Sequence, residues 1–458
     1  MSLKSKVDIT GGPIARSIIA FVIPITLGAL IQVAFTAADL MVVGNMGNEN
    51  DVGSVGAVSS IVSLLVTSFI GLGAGVNAVL ARCIGQRNDA RSSRVISTAI
   101  IFSFVFGLLL TVSFLIFSEP LLAVTKCPEE CFDGAVRYMQ IYAIGIPAVM
   151  VYNFAAAIIR TSGETQKPFL YLVIAGIVNV ALNIVLCLVL TEKVAAVAVA
   201  TTASQIISAV LCMRYLVKQK GSCSFSFKKL SFSFSELLAI FKVGLPCAFN
   251  SALFSLSNVQ MHAAINSYGA AATAGNAAAT NVEQFVGAFT TGFNSAAVPF
   301  VGQNVGAGRK DRVKKSIEFC MLVSALIAVV AGTSLYLFGE PILTLFGADS
   351  PDAITAGLSR MQHILLFYAI SAVMNIFASA LQAFGYSFLT MMNSIVTVFV
   401  FRMIWLEFIY PPLEAIEHTI DNVYLCYTVS WTLTFIAHLV AFLIVFLRYM
   451  KTGKVKSL

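Results

Sequence analysis

Twelve long apolar runs constrain this chain more than any other feature of its sequence. A membrane-spanning helix needs about 20 mostly apolar residues, and runs of this length recur throughout the 458 residues. No polar stripe recurs at helical spacing within them, which argues against a very hydrophobic soluble bundle. The predicted spans are residues 16–40, 53–80, 95–118, 137–160, 168–190, 195–216, 237–263, 274–299, 316–338, 358–383, 388–410 and 424–448.

The composition agrees with a bilayer environment. Hydrophobic residues make up 58% of the chain and charged residues 11%, against about 25% charged residues in a soluble domain. The net charge of +7 does not indicate nucleic-acid binding, because the basic residues lie in short loops between apolar runs. The polar, basic start is followed by an apolar run too long for a signal peptide, so we expect no cleaved leader.

Lysine and arginine predict the orientation of the spans. Of the 29 basic residues, 24 lie on the side of the chain termini, four lie on the other side, and Arg402 lies within a span. The positive-inside rule therefore predicts a multi-pass protein of the plasma membrane with both termini in the cytoplasm. Cys127 and Cys131 share a predicted outer loop, where free thiols are favoured over a disulfide or a metal site.

The two halves of the chain resemble each other. IFSEPLLAVT (116–125) matches LFGEPILTLF (337–346), and RYMQ (137–140) matches SRMQ (359–362). Two six-span halves have the same orientation, so a pseudo-twofold axis should run along the membrane normal. We predict an all-α membrane protein with an N-terminal lobe (1–217), a cytoplasmic linker (218–236) and a C-terminal lobe (237–458). Two such halves are typical of alternating-access transporters.

Motifs for other functions are missing from the sequence. No GxxxxGK[ST] loop occurs and the four histidines are dispersed, so we expect neither ATP hydrolysis nor another enzymatic activity. Active transport by this chain would then draw on an ion gradient.

Asp39 stands out because a carboxylate inside a span costs about 2.5–3.5 kcal/mol to insert and needs a reason. At the helical rise of about 1.5 Å per residue, Asp39, Asn183 and Thr201 lie roughly 7–10 Å below the outer ends of their spans. Asn179 and Asn183 are also four residues apart and share a helix face. These oxygen atoms suit a small hard cation or a proton, with Na⁺ the one metal expected. Ordinary hydrogen bonding between helices is the alternative.

The second half has its own charged residues. Glu283 and Arg402 lie about 12–14 Å deep in spans eight and eleven, so they are predicted to form a buried ion pair or to contact substrate. Gln32 and Asn153 are candidates for lining a cavity, although single polar groups in spans more often join helices.

Several motifs together resemble one family. The first span carries Pro24, Gln32, Asp39 and Gly44, GQ follows the second span and recurs after the eighth, and the fourth span ends in RTSGETQKP (160–168). With Asn179 and Asn183 in the fifth span, this pattern resembles the multidrug and toxic compound extrusion (MATE) family, nearest its prokaryotic DinF-like branch.

The resemblance implies an antiporter that exports organic, often cationic and amphipathic, compounds in exchange for Na⁺ or H⁺. It implies a cation site made by Asp39, Asn179, Asn183 and Thr201 or Thr202. Some relatives have a second carboxylate where Asn183 stands, which leaves the coupling ion open. No other cofactor is expected, and the partners should be small molecules and membrane lipids, with the protein acting as a monomer.

Two details of mechanism follow from the residues. Pro24 removes one backbone hydrogen bond and is the candidate hinge of the first span. The runner-up function is a flippase for a lipid-linked precursor, which should line its cavity with several basic residues. Only Arg402 lies deep in a span, so the flippase is disfavoured. A channel ranks third because the chain has two repeats and no filter motif.

Overall fold

Every regular element that the structure describes is a helix. The computed structural model describes residues 6–125, 127–219 and 223–456, and no strand occurs among them. In chain order the α-helices are α1 (Ile14–Met46), α2 (Glu49–Gly85), α3 (Asp89–Val124), α4 (Glu129–Thr161), α5 (Gln166–Val189), α6 (Lys193–Lys218), α7 (Phe234–Asn266), α8 (Ala270–Gly306), α9 (Lys310–Leu337), α10 (Gly339–Leu345), α11 (Pro351–Ile364), α12 (Tyr368–Ala383), α13 (Ser387–Ser394), α14 (Phe401–Ile404), α15 (Tyr410–Ile416) and α16 (Asp421–Thr452).

Each of the twelve predicted spans is covered by one or more of these helices. Among the described residues, ten spans are long and apolar enough to cross a membrane, and α11 with α12 forms an eleventh that bends by 45°. The remaining long helix is α8, with 37 residues, which covers the predicted eighth span and carries Glu283. The break in the tenth span is the main departure from the predicted run at 358–383.

The helices extend beyond the apolar runs because polar residues cap their ends. At the start of α2, the backbone N–H of Asp51 donates to Asn48 Oδ1 at 2.9 Å, and the N–H of Asn48 donates to Asp51 Oδ2 at 3.0 Å. At the start of α3, Asn88 Oδ1 accepts from the N–H of Arg91 at 3.0 Å. Such caps satisfy first-turn N–H groups and let a helix begin outside the apolar layer.

Contacts group the helices into two units. The first unit comprises Ile23–Gly244 with a short stretch ending at Asp8, and the second comprises Ile9–Val22 with the chain from Leu245 onward. In the first unit α4 is central: it packs against α2, α3 and α6, and most of its residues are buried. In the second unit α8 packs against α9, α11 and α12. The boundaries between the two units fall near or inside helices. The lobes predicted at 1–217 and 237–458, which are divided at the linker, stay a prediction.

The stretch before α1 is held by side chains at the start of α9, within the second unit. Arg312 Nη2 donates to the carbonyl oxygens of Ile9 at 3.0 Å and Gly12 at 2.8 Å. Arg309 Nη1 donates to the carbonyl oxygen of Thr10 at 2.6 Å. These arginines belong to the loop that sequence analysis used to predict orientation, so they bind backbone as well as adding positive charge.

The eleventh span is the least regular. Two π-helical segments, Ile395–Val400 and Trp405–Ile409, lie on either side of the four-residue α14. Arg402 lies on α14 and is buried. Because π-helical turns are rare and concentrate at functional sites, this arrangement directs attention to Arg402.

Candidate functional site

A carboxylate and three neutral polar side chains meet in the first unit. Asn183 of α5 donates its Nδ2 to Asp39 Oδ1 of α1 at 2.5 Å, and the same nitrogen lies 3.3 Å from Asn179 Oδ1. Asn179 Nδ2 in turn lies 3.4 Å from Thr201 Oγ1 of α6. The four residues link α1, α5 and α6, and we call them the Asp39 cluster.

One oxygen of the Asp39 cluster is left without a partner. Asn183 is 0% exposed, and its Oδ1 accepts no hydrogen bond from the residues that the structure describes. A buried acceptor in this state costs about 1–3 kcal/mol and calls for an explanation. Carboxylate, amide and hydroxyl oxygens are the ligands that small hard cations prefer. The cluster therefore has the chemistry to hold such a cation, or a proton on Asp39.

A glycine on α5 allows α1 to approach closely enough for this contact. A Cβ on Gly176 would lie only 1.7 Å from Phe35 Cε2, so the Phe35 ring packs directly on the α5 backbone. Phe35 is one turn from Asp39, and Gly176 is one turn from Asn179. The contact of the Phe35 ring with Gly176 thus brings Asp39 of α1 close to the polar side chains of α5.

The two threonines of α6 have different surroundings. Thr201 faces the Asp39 cluster, whereas Thr202 Oγ1 donates to the backbone carbonyl of Ile141 on α4 at 3.3 Å. Tyr138, also on α4, lies near Thr201 and within electrostatic range of Asp39. Sequence reasoning left the choice of threonine open and did not single out Tyr138.

The buried charges of the second unit form a different site. Arg360 of α11 donates Nε to Glu283 Oε1 at 2.7 Å and Nη2 to Glu283 Oε2 at 2.8 Å. Its Nη1 donates to Asn276 Oδ1 at 2.8 Å. The side chains of Arg360 and Glu283 are only 5% and 13% exposed. This bidentate pair has the strongest geometry open to two such groups.

The predicted ion pair between Glu283 and Arg402 is therefore wrong. Sequence analysis counted Arg360 among the four basic residues on the outer side, at the start of the predicted tenth span, but it lies on α11 and is buried. Arg402 instead donates to neutral groups: Asn258 Oδ1 at 2.9 Å, Ser430 Oγ at 3.2 Å and Ser257 Oγ at 3.5 Å.

The other sequence candidates lie apart from these contacts. Asn153 donates Nδ2 to the carbonyl of Val149 in its own helix at 2.8 Å. Gln32 is exposed. Pro24 lies inside α1, which continues through it without a break. Their predicted roles as cavity lining or hinge stay predictions.

The repeat is also recognised by comparison with known families. The MatE family model matches residues 24–185 and again residues 246–406. The chain belongs to the multidrug and toxic compound extrusion (MATE) family. The predicted resemblance is confirmed, and so is the predicted two-half, twelve-helix fold class.

Relatives of this MATE protein are transporters. It is 26% identical over 378 residues to the Probable multidrug resistance protein YoeA of Bacillus subtilis (strain 168), covering 81% of each chain. It is 25% identical over 396 residues to the FAD transporter of Shewanella oneidensis, covering 83% of this chain and 85% of the relative. Its fold matches, with TM-score 0.88 and 18% identity, an outward-facing multidrug resistance MATE family transporter of the MOP superfamily; the match covers 99% of this chain and 100% of that one.

In this MATE protein the structure brings four predicted residues, Asp39, Asn179, Asn183 and Thr201, into one network. Their role as ligands of a coupling ion stays a prediction. In the described part of the chain, no group of three His, Cys, Asp or Glu side chains is placed to hold a metal ion. The Asp39 cluster is the candidate ion site because it joins one carboxylate to neutral oxygen atoms, which suit a small hard cation.

Proposed function

We propose that this MATE protein is a secondary active transporter of the plasma membrane. It exports amphipathic organic compounds in exchange for Na⁺ or H⁺ by alternating access. The observation that carries the proposal is the contact between Asp39 and Asn183, with the buried Asn183 Oδ1 left unpartnered. An ion bound at this point would interact with Asn183 Oδ1 and neutralise the carboxylate of Asp39. Ion binding would therefore stabilise the cluster.

Antiport requires that ion and cargo bind antagonistically. The ion would bind the Asp39 cluster from the outside and tighten the contact of α1 with α5 and α6. In this proposal α1 moves at Pro24, whose ring removes one backbone hydrogen bond, and the cargo-binding form of the protein becomes less favourable. Cargo is then released outward.

The remaining features of the proposal follow from the sequence and the family. Both termini face the cytoplasm, the protein acts as a monomer among membrane lipids, and no cofactor other than the coupling ion is needed. A cationic, amphipathic compound is the cargo that the family resemblance implies, so a cationic dye is the first substrate to test. Family membership does not favour the lipid-precursor flippase.

The test uses purified protein in liposomes loaded with a fluorescent cationic dye. A Na⁺ gradient and a pH gradient are imposed separately on wild type, Asp39→Asn and Asp349→Asn. The last variant makes the same chemical change at an exposed position and serves as the matched control. Gradient-driven dye movement in wild type and the control, lost in Asp39→Asn, supports the proposal. Normal ion dependence in Asp39→Asn refutes it.

Asn183→Ala separates the two coupling ions. If Na⁺ is the coupling ion, the variant loses an oxygen ligand, and the Na⁺ concentration for half-maximal transport should rise at least tenfold, the equivalent of about 1.4 kcal/mol. If H⁺ is the coupling ion, Na⁺ has no effect in either protein, and the pH profile of transport shifts instead because Asp39 loses its hydrogen-bond donor.

A further inference from the structure

A buried guanidinium in the second unit has no counter-charge among the described residues. Arg402 is 1% exposed, and its three hydrogen bonds go to the neutral side chains of Asn258, Ser430 and Ser257. These bonds are made by Nε, to Ser430, and by Nη1, to Ser257 and Asn258. Buried charges are normally paired, because leaving water without a counter-charge is unfavourable.

The charge balance around Arg402 is positive. The guanidinium carbons of Arg402 and Arg360 lie 4.4 Å and 5.4 Å from the ring centroid of Tyr427. Glu283 is engaged by Arg360 through both of its oxygens. Two cations and one carboxylate leave one positive charge, which disfavours a cationic ligand here and favours an anionic one.

The internal repeat aligns part of this region with the Asp39 cluster. Pro24 and Pro246 are separated by 222 residues, and so are Tyr138 and Arg360. The same offset takes Asp39 to Met261 and Asn183 to Trp405, which belong to one buried cluster. The second half therefore has apolar and aromatic side chains at the positions where the first half holds its carboxylate and oxygens.

Aromatic rings surround the arginine. The Tyr427 ring lies 6.4 Å from that of Trp431 in an edge-to-face arrangement, and Trp431 lies 5.7 Å from Tyr368. Trp405, in the π-helical segment after α14, packs in the same cluster. Aromatic faces and a guanidinium together suit a flat ring that carries a negative group.

We propose that Arg402 and this aromatic cluster bind an aromatic anion, a carboxylate or phosphate ester on a flat ring. Arg402 Nη2 donates to the anionic oxygen, and Tyr427 and Trp431 contact the ring. The π-helical segments on either side of α14 supply the local rearrangement that admits the ligand. This rests on the proposed transport function and deepens it, because it adds aromatic anions as a cargo class.

Intrinsic fluorescence offers a direct test. The chain has two tryptophans, Trp405 and Trp431, and both pack in this cluster. Purified full-length protein in detergent is titrated with benzoate, phenyl phosphate, benzyl alcohol and benzylammonium, which share one ring and differ in charge. We expect a saturable change with one or both anions, at least tenfold tighter than with the other two compounds. The stronger of the two anions distinguishes carboxylate from phosphate.

Variants link the signal to the arginine. Arg402→Gln should weaken anion binding tenfold or more, and Arg402→Lys, which keeps the charge, should retain part of it. Arg214→Gln, an exposed position on α6, is the matched control and should bind as wild type does. If Arg402→Gln does not fold, two other results decide. They are the preference of the wild-type protein for the anions over benzylammonium and a loss of anion binding in Ser257→Ala.

Equal affinity for benzoate and benzylammonium, no saturable anion signal, or unchanged binding in folded Arg402→Gln would each overturn the proposal. The assay uses neither vesicles nor a gradient. Its failure alongside Asp39-dependent efflux would therefore refute the anion site alone, whereas anion binding without any gradient-driven transport would refute the transport proposal alone.

Discussion

The ion pair between Glu283 and Arg360 gives the sharpest prediction about stability. Glu283→Gln removes the negative charge and one of the two charged oxygens that Arg360 contacts at 2.7 and 2.8 Å. Breaking a buried pair by changing one partner costs about 3–5 kcal/mol, since the other charge stays buried. Gln keeps one oxygen that can accept from Arg360, so we expect a loss near the lower end, about 3 kcal/mol.

The assay is unfolding in detergent, followed by circular dichroism over a denaturant series. Glu340→Gln at an exposed position is the control for the chemical change, and we expect it to lie within about 0.5 kcal/mol of wild type. The double variant Glu283→Gln with Arg360→Met should lose less unfolding free energy than the two single variants lose in sum. The difference should be at least about 1.5 kcal/mol, because the two side chains are in direct contact. A loss below about 1 kcal/mol in Glu283→Gln, or additive losses, would refute this account.

Three further predictions concern the first unit and the topology. Gly176→Val should abolish ion-dependent transport, because the Phe35 ring occupies the space of the new side chain; transport with wild-type ion dependence would contradict this. Thr201→Val should raise the ion concentration for half-maximal transport several-fold, whereas Thr202→Val, whose hydroxyl binds backbone, should leave it unchanged; equal effects in the two variants would show that the assignment is wrong. A membrane-impermeant maleimide should label Cys127, a partly exposed free thiol, on intact cells and not in Cys127→Ser. Labelling only after the cells are permeabilised would reverse the predicted orientation.

Most of the architecture could be predicted from the sequence because apolar length is a direct consequence of the bilayer. The repeat also followed from residue identity, and the family model matches each half separately. Helix ends were less predictable, since Asn48 and Asn88 extend α2 and α3 through hydrogen bonds that hydropathy does not register. The bend between α11 and α12 was also missed, because residues 365–367 at the break are apolar and do not interrupt the hydropathy of the run.

The candidate site was predicted in part. Counting depth from the outer helix ends placed Asp39, Asn183 and Thr201 at one level, and they do meet, because each lies on a regular α-helix. The same count paired Glu283 with the wrong arginine, because Arg360, which was assigned to the outer side, lies buried on α11 and contacts Glu283.

The repeat held a further signal that the sequence analysis did not use. Tyr138 is the counterpart of Arg360 in the aligned motifs RYMQ and SRMQ. Both are buried: Tyr138 lies within electrostatic range of Asp39, and Arg360 is in direct contact with Glu283. Comparing the two halves position by position, in place of reading each alone, would have drawn attention to both residues.

The hydrogen bonds from Arg309 and Arg312 to the stretch before α1 also have a consequence for biosynthesis. Ile9 and its donor Arg312 are 303 residues apart in the chain. The first residues to leave the ribosome therefore wait for about two-thirds of the protein to be made before their carbonyl groups find these partners. Val7, by contrast, donates its N–H to the carbonyl oxygen of Gly163. The stretch before α1 can therefore be fixed in two steps, first just after α4 and later at the start of α9.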